Sequence, residues 1–250
     1  MPRPTSQPDF ARAAADYAAH RPPFDSRLID RLRSFGVGRA GQRVLDLGAG
    51  TGLFGAALAD CGVTFVDPSP ALLAHAPGPR VCAVAERLPF ADHAFDAVTC
   101  AQSWHWFDRR IAPREILRAL KPGGPLAIVY QTHLPLPGNL AGETERLILR
   151  HRPRWRHAGA AGINGQALID LTAAGFARIE SFTFDVDVSF SAQAWVGYVR
   201  TWSALAPTLD GPGLEALDAD LAAFVAGQFP VGGTVAVPHR VFAAIGYGAG

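Results

Sequence analysis

Three glycines at alternating positions, Gly48, Gly50 and Gly52, follow directly on the apolar run Val44, Leu45, Asp46, Leu47. Without a Cβ, such residues let the backbone turn tightly and come close to a ligand. The run carries a carboxylate of its own, Asp46. A second one, Asp67, closes the next apolar run 67 − 46 = 21 positions later, close to the spacing at which a second-strand acid accepts hydrogen bonds from both ribose hydroxyls. A dinucleotide fingerprint would need its third glycine at position 53, where Leu53 stands. An acid at the mouth of the first strand also repels a pyrophosphate, whereas it attracts an ammonium or a sulfonium. S-adenosylmethionine carries both cations and no phosphate. Each acid alone reads equally well as a helix cap or turn residue; it is the two together with the glycines that point to this ligand.

The elements that position these residues alternate in type. Apolar runs at 44–47, 63–67, 81–85, 95–101 and 125–131 read as buried strands, and helical stretches at 54–60, 71–76 and 112–120 lie between most of them. That alternation marks a parallel sheet wound by right-handed crossovers. Before it, residues 9–34 read as a helical cap, broken at Arg21, Pro22 and Pro23 because proline disfavours helical backbone in the residue before it. After residue 131 come a Pro/Gly-rich loop, helices over 143–158 and 166–176, a strand over 177–190, helices near 193–202 and 214–229, and a closing strand over 238–247.

With 250 residues, 49% hydrophobic and 18% charged, the chain reads as a single domain. We divide it into a cap (1–40), a cofactor-binding core (41–131) and an acceptor-side insertion with C-terminal strands (132–250). A formal charge of +1 supplies no field to recruit nucleic acid or a membrane surface. The three cysteines, Cys61, Cys82 and Cys100, show neither a disulfide framework nor a zinc spacing, and no metal is expected. The first twenty residues lack the layout of a signal peptide and no apolar run reaches the ~18 residues of a spanning helix, so the reading is a cytoplasmic protein that does not engage membranes.

The segments VLDLGAGTGLFGAAL, VDPSPALLAHA, AERLPFADHAFDAVTCAQSWHWFD and LRALKPGGPLAIV closely resemble the class I S-adenosylmethionine-dependent methyltransferases of the type 11 group over residues 10–131. Within them the likeness is greatest to small-molecule enzymes such as the trans-aconitate methyltransferases, whose fourth strand runs into a HWF-type sequence. The resemblance implies a Rossmann-like three-layer α/β/α sandwich whose seven-stranded sheet is mostly parallel, with one antiparallel strand near the C-terminus. It implies that Asp46 meets the methionine ammonium, that Gly48, Ala49, Gly50, Thr51 and Gly52 line the methionine portion, and that Asp67, followed by Pro68, holds the ribose. Ala85 and Glu86 would border the adenine, and Gln102 would lie beside the methionine moiety. Tyr17 and Arg21 match residues that approach the cofactor's carboxylate in relatives. Two departures are visible: Val84 stands where many relatives place an acid, and the link ADCGVTF is short.

Methyl transfer from a sulfonium asks an enzyme chiefly to exclude water and align the reacting atoms. His105, after the fourth strand, is the candidate general base, with a loop-ordering histidine as the other reading. Trp104 and Trp106 flank it, and one of the two should face the core. Arg146, Arg150, Arg152, Arg154 and Arg156 form either a solvated helix face or, if turned inward, a cradle for an anionic acceptor. The acceptor is expected to be a small molecule methylated on a carboxylate or hydroxyl oxygen. A non-catalytic S-adenosylmethionine-binding protein and a nucleic-acid methyltransferase are the alternatives; the sequence leaves the acceptor's identity and the oligomeric state open.

Overall fold

The computed structural model describes residues 17–155, 157–202 and 211–248. Seven strands form one sheet: β1 (Arg43–Leu47), β2 (Gly62–Asp67), β3 (Arg80–Cys82), β4 (Ala97–Ala101), β5 (Pro125–His133), β6 (Ala177–Ser191) and β7 (Thr234–Tyr247). Their order is β3-β2-β1-β4-β5-β7-β6, mixed, with one antiparallel strand at the C-terminal end. β1 pairs in parallel with both β2 and β4, β2 with β3, and β4 with β5. Strand order therefore reverses between β1 and β4, and the crevice at such a switch point, beyond the carboxyl ends of the strands, is where open α/β sheets bind ligands. The fold is the Rossmann-like one the sequence implies.

Helices α1 (Ser26–Ser34), α2 (Leu53–Ala56), α3 (Pro70–Leu73), α4 (Ala112–Ala119), α5 (Leu140–His151), α6 (Gly165–Ala173), α7 (Ala192–Arg200) and α8 (Gly211–Ala226) complete the described elements. Local signals set their starts: Asp25 caps α1 by accepting from Arg27 N, and Asn139 caps α5 by accepting from Gly142 N at 2.8 Å. Residues 17–20 are helical ahead of the Pro22–Pro23 break; the expected cap's residues 9–16 lie outside the described residues.

Two elements are shorter than the sequence suggests. The helix read over 54–60 is the four-residue α2, because only nine residues separate Gly52 from the start of β2 at Gly62. The strand read over 81–85 stops at Cys82, since its neighbour β2 ends at Asp67, directly opposite Cys82, and leaves nothing further to pair with.

The chain gathers into two compact units. The first comprises residues 23–131, 163–184 and 241–250, and its core is built of Leu45, Leu47, Val98, Cys100 and Ile128 from the strands with Ile116 of α4 and Leu171 of α6. The second comprises the described parts of 1–22, 132–162 and 185–240, with a core of Leu147, Ile148, Trp195, Tyr198, Leu217 and Leu221 from α5, α7 and α8. Among the described residues no helix is long and apolar enough to cross a membrane.

Candidate functional site

In the first unit the register of the β1–β4 pair sets Thr99 opposite Asp46. Thr99 Oγ1 donates to Asp46 Oδ1 at 2.9 Å, and Gly55 N of α2 donates to Oδ2 at 3.0 Å. Asp46 is 1% exposed, and that burial raises its pKa to about 6 against the opposing pull of both hydrogen bonds, with the charge of Asp67 adding to the rise. Asp67, also buried, accepts from Gly50 N at 2.9 Å and from Ser69 N at 2.8 Å. Burial outweighs these bonds and lifts its pKa too. Ala49 N donates to Val66 O at 2.9 Å, so β2 holds the glycine loop at two consecutive amides.

Gly48 and Gly50 serve the loop differently, although both have positive φ, 67° and 57°. A Cβ on Gly48 would stand 2.5 Å from Ser103 Cβ, and Ser103 Oγ itself donates to Leu47 O at 2.8 Å, so the end of β4 closes against this glycine. Around the Cβ position of Gly50 there is nothing within 4 Å. One side of the loop is thus sealed by protein and the other is open to a ligand.

The remaining expected residues of this unit gather at the carboxyl ends of the same parallel strands. Thr51 and Ala85 are buried, and Pro68 is exposed beside Asp67. Glu86 Oε1 accepts from Asp108 N at 2.7 Å, tying the segment after β3 to the loop after β4. Val84 is 42% exposed. Gln102 adopts φ 57°, uncommon for a side-chain-bearing residue, and is held there by Nε2 donating to Gln131 O at 2.6 Å and N donating to Val129 O at 2.8 Å. Tyr17 and Arg21 belong to the second unit. There the Arg21 guanidinium lies 4.6 Å from the Tyr17 ring centroid and donates to Thr201 O at 2.9 Å.

His105 sits in a single 3-10 turn, Trp104–Trp106. Trp104 is the tryptophan that faces the core, with Nε1 donating to the buried carboxylate of Asp170 at 2.8 Å, while Trp106 is 40% exposed. His105 is exposed and its Nδ1 lies 3.4 Å from the hydroxyl of Tyr130 on β5. That phenol is buried, which holds its pKa well above the ordinary value, and it also hydrogen-bonds the Asn164 side chain. An exposed imidazole set beside a neutral phenol can take a proton from an acceptor hydroxyl or orient it. Sequence reasoning missed Thr99, Ser103, Tyr130 and Asn164. Tyr130 lay hidden inside an apolar strand run, and only its place at the strand's carboxyl end could have flagged it.

Of the arginine cluster in the second unit, Arg146, Arg150 and Arg154 are exposed, Arg152 is half-buried and Arg146 pairs with Glu143; Arg156 lies outside the described residues. The solvated-face reading describes these side chains. Deeper in the same unit His133 is buried, with Nδ1 3.3 Å from the Tyr198 hydroxyl and Nε2 3.4 Å from Glu145 Oε1. Lys121, the sole lysine, forms a surface pair with Asp96. Among the described residues no group of three or more His, Cys, Asp or Glu is arranged to hold a metal ion.

The sequence model of the family described as "Methyltransferase domain" matches residues 45–128. A protein of Mycobacterium tuberculosis named an uncharacterized methyltransferase is 35% identical over 190 residues, covering 66% of this chain and 75% of that protein. A demethylmenaquinone methyltransferase of Corynebacterium urealyticum is 42% identical over 104 residues, covering 39% of this chain and 45% of its own. Among solved structures, phosphoethanolamine N-methyltransferase 2 of Haemonchus contortus, bound to phosphomonomethylethanolamine and S-adenosylhomocysteine, superposes with a TM-score of 0.56 at 18% identity, over 100% of this chain and 62% of that one. At that identity the likeness is one of fold.

Proposed function

The chain belongs to the S-adenosylmethionine-dependent methyltransferases, and from that premise we propose that it binds S-adenosylmethionine at the glycine loop and methylates a small molecule on a carboxylate or hydroxyl oxygen. The observation that carries the cofactor assignment is the pairing of the open face of Gly50 with two buried carboxylates, in a loop with no lysine or arginine to receive a phosphate. The residues fit the group. Each oxygen of Asp67 spends one acceptor position on a backbone amide, and an ionised carboxylate has about four such positions, which leaves room for two ribose hydroxyls. Asp46 offers a buried negative charge to the ammonium, and Ala85, Glu86 and Gln102 lie at the neighbouring strand ends for adenine and methionine. Tyr17 and Arg21 are proposed for the cofactor's carboxylate on the resemblance alone.

When bound, the cofactor supplies a methyl group on a positively charged sulfur, a good leaving group. What the chain supplies is position and proton management. His105 is the proposed base or orienting group for the acceptor, with Tyr130 fixing its ring through the 3.4 Å contact. A small-molecule acceptor is supported by the relative named for demethylmenaquinone. The HWF sequence, Trp104 excepted, keeps alive the narrower likeness to trans-aconitate methyltransferases, whose acceptor is a carboxylate. Two measurements test the proposal: calorimetric titration with S-adenosylmethionine and with NAD, and an acceptor screen that detects S-adenosylhomocysteine. Tighter binding of NAD overturns the cofactor assignment. Cofactor binding with no turnover across small oxygen acceptors, peptides and nucleic acids leaves a binding protein instead.

A further inference from the structure

The second unit buries polar atoms that its fold does not use. Trp155 is 6% exposed and His239 is 0% exposed, yet among the described residues Trp155 Nε1, His239 Nε2, Arg21 Nε and Trp202 Nε1 have no hydrogen-bond partner. The Tyr198 hydroxyl lies close to the Trp202 indole, so the inference rests on the other three. A buried donor or acceptor left unmade disfavours the fold, and three in one unit point to a partner that comes from outside the chain.

These atoms share one aromatic cluster. His133 stacks on Trp202 with centroids 4.0 Å apart and planes at 11°, and Trp155 lies parallel to Trp202 at 5.9 Å and 4°. His239 lies 6.2 Å from His133 and 5.9 Å from Tyr198, whose ring is 5.4 Å from the Arg21 guanidinium. The protonation of His239 follows from its neighbours. Its Nδ1 is 2.9 Å from Val237 O, and since a carbonyl only accepts, Nδ1 carries the hydrogen. Burial, the foremost cause, lowers the pKa to about 4, so the ring is neutral at pH 7 and Nε2 presents a lone pair. The unmet set is therefore two donors, Trp155 and Arg21, and one acceptor, His239, between flat aromatic walls.

We infer that this cluster is a binding site for a planar, uncharged aromatic molecule bearing hydroxyl groups, whose oxygen accepts from Trp155 or Arg21 and whose hydroxyl hydrogen is given to His239 Nε2. The flat walls select a fused ring, and the mixed donor and acceptor set selects a hydroxyl over a carboxylate, which cannot donate to His239. The site is independent of the glycine loop, and it stands or falls without the methyl-transfer proposal.

The probe is 2,6-dihydroxynaphthalene, compared with naphthalene, both titrated into the full-length protein and followed by tryptophan fluorescence and calorimetry. We expect the diol to bind at least about tenfold more tightly than the hydrocarbon, since the hydrocarbon leaves the buried polar groups unpaired. Trp155→Phe keeps an aromatic wall and removes only the N–H; His239→Phe removes the acceptor. Each should abolish most of the diol's advantage, and Trp155→Phe should melt no lower than the parent without ligand, because it deletes an unmet donor. Equal affinity for diol and hydrocarbon, no saturable binding of either, or an advantage that survives both substitutions would overturn the inference and leave solvent as the partner of these atoms.

Discussion

Thr99→Val tests whether Asp46 acts as a charge that the cofactor senses. In the free protein Asp46 has a pKa of about 6 against an ordinary 3.8, a difference of roughly two units or about 3 kcal/mol. The folded value lies above the unfolded one. This group therefore favours the fold fully below about pH 4, and the contribution is lost as pH rises through about 6. Thr99 Oγ1, 2.9 Å from Oδ1, is one of two hydrogen bonds that keep the value from rising further. A hydrogen bond to a charged group contributes about 1.5–3 kcal/mol, or about one to two pH units, so valine should move the midpoint above pH 7. A cationic ligand binds the ionised form. Affinity of the parent for S-adenosylmethionine should then fall about tenfold between pH 7 and pH 5, whereas Thr99→Val should already be weaker by about two- to tenfold at pH 7 and recover by pH 9. Calorimetry across this range, in buffers of different ionisation enthalpy, reads both affinity and protons released. A parent profile flat from pH 5 to pH 7, or a variant profile that superimposes on it, would refute the reasoning.

Asp67→Asn keeps the side chain's size but removes its charge and one acceptor oxygen; cofactor affinity should drop at least about tenfold, with a melting curve to confirm that the variant folds. Gly48→Ala and Gly50→Ala should separate stability from binding. Both carry the cost of a positive φ, about 1–2 kcal/mol, but only Gly48→Ala adds the clash with Ser103, so it should melt markedly lower, while Gly50→Ala should stay folded and lose cofactor in titration. His105→Ala should leave cofactor affinity within a few-fold; turnover should fall about 10²- to 10⁴-fold if the imidazole is a base, less so for acceptors of lower pKa, and in KM alone if it only positions. Tyr130→Phe, which removes the hydroxyl facing His105, should reproduce part of that loss, and steady-state kinetics on both variants that match the parent would remove the pair from the site.

The sheet was legible because its strands are buried runs of fixed length between glycine and proline signals: residues 44–47 and 125–131 were read within a few positions of β1 and β5. The helices after the first two strands were overestimated, since composition over 54–60 reports helical preference but not the short link that leaves room for one turn. The site was legible where chemistry lies in adjacent residues, as in the glycine loop, and illegible where it depends on register. Nothing in the string says that Thr99 stands opposite Asp46, or that the amide of Gly50 meets Asp67. Tyr130 was hidden for a related reason: a tyrosine in a buried strand shows its hydroxyl's use only once the neighbours of that hydroxyl are known. The unmet atoms of Trp155 and His239 were beyond sequence altogether, because being without a partner is a property of three-dimensional neighbours alone.

The same carboxylates set both the shape and the charge of the loop. Asp67 fixes the Gly50 amide, and Asp46 fixes the start of α2 through Gly55. Neither can be neutralised without loosening the backbone it holds. Yet both are buried in one unit, and the charge of Asp67 raises the pKa of Asp46. The free protein at neutral pH therefore holds two mutually repelling charges in a poorly solvated place, a state that costs stability. A ligand that brings positive charge relieves the repulsion, and one that brings phosphate adds to it, so the selection against dinucleotides lies in the electrostatics as much as in the missing third glycine. It follows that the rise in melting temperature given by S-adenosylmethionine should be larger at pH 7 than at pH 5, where Asp46 is already protonated and has no repulsion left to relieve. S-adenosylhomocysteine, which keeps the ammonium and lacks the sulfonium, should show the same pH trend if Asp46 meets the ammonium, and a weakened trend if it is the sulfonium's charge that Asp46 feels.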